Sequence, residues 1–91
     1  MERSELEGEI RKLLMEVELS AAGGTLSLSL LQRIALLLEK WIKTFDKSYQ
    51  ETMIMTLTYP PVPPVKVADL PAMVANGDPQ SLKLLKVLFL S

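Results

Sequence analysis

The stretch SLSLLQRIALLLEKWIKTF, Ser27 to Phe45, constrains this chain more than any other. Leu31, Ile34, Leu38, Trp41 and Phe45 recur at alternating steps of three and four, which lines side chains along one seam of an α-helix. Leu30, Leu37 and Ile42 widen that seam, while Arg33, Lys40, Lys43 and Lys47 fall together on the far side. Ser27 and Ser29 are both able to cap the helix, and Ser29 with Gln32 has the spacing of a capping box. A helix with so wide an apolar face needs another element laid along it.

The preceding segment supplies one. In SELEGEIRKLLMEVEL, Leu6, Ile10, Leu13, Leu14 and Val17 make a second apolar face, and Ser4 with Glu7 has the capping-box spacing. Glu5, Glu9 and Glu16 line another face, with Lys12 between them. Ala21–Gly24 (AAGG) stops the helix, because glycine takes the left-handed conformation that helix ends favour. Two amphipathic helices joined by a short glycine connection predict an antiparallel hairpin over residues 4–46, with helices at about 4–20 and 27–46. The glutamate face of the first helix and the basic face of the second are placed to complement each other across it, at roughly 0–1 kcal/mol per surface pair.

After the hairpin the pattern reads two ways. TMIMTLTY alternates as a strand does, with Met53, Met55, Leu57 and Tyr59 on one side and threonines on the other. As a helix, Tyr49, Met53 and Leu57 share a stripe, and Ser48 with Glu51 forms another capping pair. Residues 48–59 have only VKV as a strand mate, which tips the reading to helix. YPPVPPVKV follows, and residues 60–67 read as an extended strap of fixed length, since prolines have little unfolded-state freedom to lose. Pro61, Pro64 and Lys66 also fit the P-x-x-P spacing that aromatic grooves read in polyproline peptides.

Residues 69–91 read as two helices. Asp69 is placed to cap LPAMVA, which Asn76-Gly77 ends. Asp78 as N-cap with Pro79 at the first helical position then opens DPQSLKLLKVLFL. Leucines, Val87 and Phe89 surround that last helix apart from Lys83 and Lys86, and a helix apolar nearly all round is a buried one. The fold class is therefore mainly α: one small helical domain over residues 1–91, with hairpin, strap and C-terminal helices.

Composition narrows function by exclusion. The 91 residues contain no cysteine and no histidine. That removes disulfides, thiolate metal sites and the commonest general base. The glutamate stripe on an exposed helix face offers no carboxylate pair with split pKa values. The sequence is read as non-enzymatic and without a cofactor. Net charge is −1 but uneven: residues 1–20 hold six glutamates against Arg3, Arg11 and Lys12, and the remainder has seven basic residues against five acidic. No apolar run reaches the ~20 residues that span a bilayer, and MERSELEGEIRKLL is too charged for a secretory signal. The expectation is a cytoplasmic protein.

With 48% hydrophobic residues and 23% charged, a chain this small carries more apolar side chain than it easily hides. It is expected to dock on a partner protein or on a second copy, as an accessory or assembly subunit. The candidate interface is Leu31, Ile34, Leu38, Trp41 and Phe45 of the seam with Leu85, Leu88 and Phe89 of the tail. The alternative is a nucleic-acid-associated factor, acting within a larger complex, using Arg33, Lys40, Lys43 and Lys47 as phosphate contacts. No motif is specific enough to carry a family resemblance.

Overall fold

A computed structural model describes residues 2–58 and 61–90, with side-chain surroundings for all of these except 56–58, 61 and 62. The fold is mainly α. Its elements are α1 (Arg3–Ala22), α2 (Leu28–Ile42), α3 (Lys47–Thr52), β1 (Ile54–Thr58), β2 (Pro61–Lys66), a 3-10 turn (Val67–Asp69), α4 (Leu70–Ala75) and α5 (Pro79–Leu90).

The predicted antiparallel hairpin is the spine. The first turn of α1 meets the end of α2, where the Arg3 guanidinium donates to the Thr44 carbonyl at 2.8 Å and to Thr44 Oγ1 at 3.0 Å. It also lies 4.0 Å from the centre of the Phe45 ring, a cation–π arrangement. That anchorage starts α1 at Arg3. Ser4 falls inside the helix, and the expected Ser4–Glu7 box gives way to Glu2 at the N-cap with no side-chain bond. At the other end the Gly24 amide donates to Ala21 O and the Thr25 amide to Ser20 O, each at 3.0 Å, with Gly24 at φ 85°. This pair of bonds is a Schellman motif.

α2 is capped by Ser27, whose Oγ accepts from the Leu30 amide at 3.4 Å; Ser29 lies inside the helix. The helix stops at Ile42 instead of reaching residue 46. Thr44 Oγ1 donates back to the Trp41 carbonyl at 2.6 Å, a local bond that competes with continuation of the helix. Phe45 therefore sits in the following turn, half-buried, with its ring edge-on to Trp41 at 4.9 Å.

The ambiguous segment divides. Residues 47–52 are helical and 54–58 are a strand, so the helical reading holds only to Thr52 and is corrected over 54–58. The missing mate is the proline stretch itself. β2 pairs antiparallel with β1, Ile54 opposite Lys66 and Met55 opposite Val65, then Leu57 opposite Val62 and Thr58 opposite Pro61. Between Met55 and Leu57 the register shifts, so Pro63 and Pro64 together oppose Thr56. Two residues facing one is a bulge. It falls where two consecutive residues lack the amide a ladder needs, in a two-stranded sheet in which every strand is an edge. The strap expected over 60–67 is thus a strand over Pro61–Lys66, with Val67 in the 3-10 turn and Tyr59 and Pro60 outside the described residues.

α4 ends in a second Schellman motif: Gly77 N–H to Val74 O and Asp78 N–H to Met73 O, each 3.0 Å, with Gly77 at φ 75°. Asp69 precedes α4 without capping it. Asp78 caps α5 as expected, its Oδ1 accepting from the Gln80 amide at 2.9 Å. One core runs through the molecule. α2 lies between α1 and α4, and α5 closes the opposite side against α1 and α4. Arg11 Nε donates to the Phe89 carbonyl at 2.8 Å, and Lys86 Nζ stands 3.5 Å from Glu18. The latter is the one ion pair among the described residues. Among the described residues, the expected complement between the glutamate stripe of α1 and the basic stripe of α2 makes no ion pair.

Candidate protein-contact face

The proposed interface residues separate once the fold is built. Leu31, Ile34, Leu38, Trp41, Leu85 and Phe89 are buried. They face Leu6, Ile10, Leu14, Leu70 and Val74 within the same chain and make up its core. Phe45 is half-buried against that core, and Leu88 is 43% exposed. The seam closes the monomer on itself, so it leaves no free surface for a partner. Trp41 shows how tightly: Phe45 and Phe89 stack edge-on at 4.9 and 5.3 Å. Its Nε1 is buried without a hydrogen-bond partner among the described residues.

The exposed apolar residues lie elsewhere, and helical spacing alone does not single them out. Leu36 is 59% exposed on the outer face of α2 and Leu19 is 75% exposed near the end of α1. Met15, Leu28, Val87 and Leu88 are other large hydrophobic residues left open. A signal for Leu36 was present in the sequence. It stands between Arg33 and Lys40 on the polar side of the wheel, where an apolar residue has no core to fill.

Leu36 forms the ridge between two grooves. The first, of about 240 Å³, runs between α1 and α2 and is lined by Glu9, Leu13, Arg33, Leu37 and Lys40 as well as Leu36. The second, of about 310 Å³, runs between α2 and α4 along Ala35, Pro71, Ala72 and Ala75, with Gln32 and Glu39 at its edge. Small side chains floor the second groove, so a large residue from outside is able to approach α2 closely there.

Arg33, Lys40, Lys43 and Lys47, the candidate phosphate contacts, are all exposed. Lys47 belongs to α3 and not to the α2 face. Glu9 shares a groove with Arg33 and Lys40, and Leu36 stands among the cations. The patch is mixed in charge and apolar at its centre, unlike the unbroken positive surface that tracks a phosphate backbone. Among the described residues no three of His, Cys, Asp or Glu converge to hold a metal, and no helix is long and apolar enough to cross a membrane. Compared with protein-family models, curated proteins and solved structures, the chain matches none.

Proposed function

We propose that the chain is a non-catalytic contact domain, an accessory or assembly subunit that docks a protein surface on the outer face of its helical hairpin. The observation that carries this reading is Leu36, exposed on a ridge between two grooves with charged side chains around it. An apolar centre with a charged rim is the layout of a protein interface, in which the core of the patch supplies most of the binding and the rim sets orientation. The seam residues support the function indirectly, by holding α1, α2 and α4 in one rigid layer.

Leu36→Glu tests this directly. At an exposed helix position it should leave helicity and thermal stability within about 0.5 kcal/mol of the parent. The size of the native species should fall to that of the monomer, for the purified chain or for the chain in an extract of its source cells. A parent chain that runs as a monomer in both settings sinks the reading.

A further inference from the structure

We infer that the occupant of the α1/α2 face is a second copy of this chain, joined about a two-fold axis that runs along the groove between the two helices. This rests on the reading of that face as a contact surface and names its partner. The stripe along α1 on this side is Glu5, Glu9, Lys12, Glu16 and then Leu19, at steps of four, three, four and three. The stripe along α2 is Arg33, Leu36, Leu37 and Lys40. All are exposed except Leu37, which is half-buried.

The antiparallel hairpin fixes the heights of these residues. Arg3 bonds Thr44, and Glu9 and Leu13 share a groove with Lys40 and Leu36. Both helices rise by the same step per residue, so Glu9 lies level with Lys40, Lys12 with Leu37, and Glu16 with Arg33. Within one chain these acids and bases are neighbours that make no ion pair.

A rotation of 180° about an axis parallel to the helices and midway between them preserves every height and exchanges left for right. It lays α1 of one copy over α2 of the other and repeats the contact on the far side, as an isologous interface must. Glu9 then stands opposite Lys40 of the other copy, and Glu16 opposite its Arg33. The aliphatic stem of Lys12 covers Leu36 and Leu37 of the other copy while its ammonium stays in water. Acid meets base at both ends of an apolar middle, twice. The opposite choice, with the charge stripes in parallel register on like neighbours, would set glutamate on glutamate, and like charges across an interface are selected against.

The available area fits a reversible pair. α1 has 20 residues and α2 has 15, so the two run side by side for about 22 Å. Two helices about 10 Å apart with their side chains present a face roughly 20 Å wide. That gives roughly 450 Å² per copy, in the range of weak, transient pairs. The dimer should therefore be concentration-dependent, and rising salt should weaken it because its charge pairs are at the rim.

Charge exchange tests the arrangement. Two variants are made, Glu9→Lys with Glu16→Lys and Arg33→Glu with Lys40→Glu, and each is checked for helicity. Sedimentation equilibrium should show the parent as a salt-weakened dimer and each variant as self-associating about tenfold or more weakly, since like charges then meet. An equimolar mixture of the two variants should form a one-to-one heterodimer at concentrations where neither pairs alone. A parent dimer that survives both charge reversals, or a mixture that fails to associate, overturns the two-fold arrangement. A parent that is monomeric when pure but enters a larger, Leu36-dependent species in cell extract overturns the second copy and leaves the contact reading standing. Retention of a mixed-sequence duplex at low salt by the parent, lost in Arg33→Glu/Lys40→Glu, would assign the basic stripe to nucleic acid and overturn the dimer.

Discussion

Three glycines show how differently one residue type acts in this chain. Gly24 and Gly77 hold positive φ at the heart of two Schellman motifs, 85° and 75° respectively. A methyl group at Gly77 would meet Leu26 Cδ2 and Leu31 Cδ1 at 3.7 Å, ordinary contact distance, and at Gly24 it would meet nothing within 4 Å. Space is therefore not the obstacle at either site; the left-handed backbone is, at about 1–2 kcal/mol for a residue with a Cβ. Gly8 lies within α1 with open space around it, and there the missing side chain is a pure helix penalty of about 1 kcal/mol. Urea unfolding should find Gly24→Ala and Gly77→Ala each destabilised by about 1–2 kcal/mol and Gly8→Ala stabilised by about 1 kcal/mol. Equal signs at the three positions would contradict the backbone assignments. The same scale shows what arginine does here. Arg3 ties down the turn after α2 and Arg11 takes a carbonyl at the end of α5, roles that one-dimensional spacing does not display because the partners are far away in sequence.

At the scale of elements, the caps separate into those that sequence spacing locates and those that tertiary contact overrides. Asp78 and Ser27 cap as their positions suggest. Each follows a glycine-containing turn or lies in an open connection, where local bonding is free to decide. Ser4 has an equally good spacing, but Arg3 is held by Thr44 and Phe45 and draws the helix start ahead of it. The consequence is measurable. Asp78→Ala should cost about 1 kcal/mol, as loss of a working cap does, while Ser4→Ala should be neutral or slightly favourable because alanine is the better helix interior residue. Comparable losses at the two positions would place the start of α1 at Ser4 after all. The β-hairpin was the least legible element. Proline cannot donate to a ladder, so PVPPVK argues against a strand unless a bulge absorbs the two consecutive prolines, and a bulge is a property of the pairing and not of either strand.

For the whole molecule, the hairpin pattern was legible because helical periodicity reports which side of each helix is covered, whereas the last helix, read as buried because it is apolar nearly all round, leaves Val87 and Leu88 exposed. Periodicity is silent on what does the covering. The seam of α2 was equally suited to a partner or to its own chain, and the fold gives it to α1 and α4, where Leu6, Ile10, Leu14, Leu70 and Val74 belong to the same core, with Phe89 of α5 edge-on to Trp41. The contact face had to be found by subtraction, as the apolar residues left over once the core is full. This assignment makes a prediction about autonomy. α1 and α2 bury five and six residues respectively, but those side chains meet α4 and α5 as much as each other. Each fully buried leucine or phenylalanine that loses its cover forfeits roughly 1.5–3 kcal/mol. With α4 and α5 removed, at least Leu70, Val74, Leu84, Leu85 and Phe89 go, a loss on the order of 10 kcal/mol, which matches the whole stability of a typical small domain. A fragment of residues 1–46 should therefore show partial helicity, bind an apolar dye and melt without a cooperative transition. Adding a peptide of residues 67–90 in trans should restore cooperativity and suppress the dye signal. A fragment that melts cooperatively by itself would show that α1 and α2 hold together without the cover of α4 and α5, and would overturn this assignment of the core.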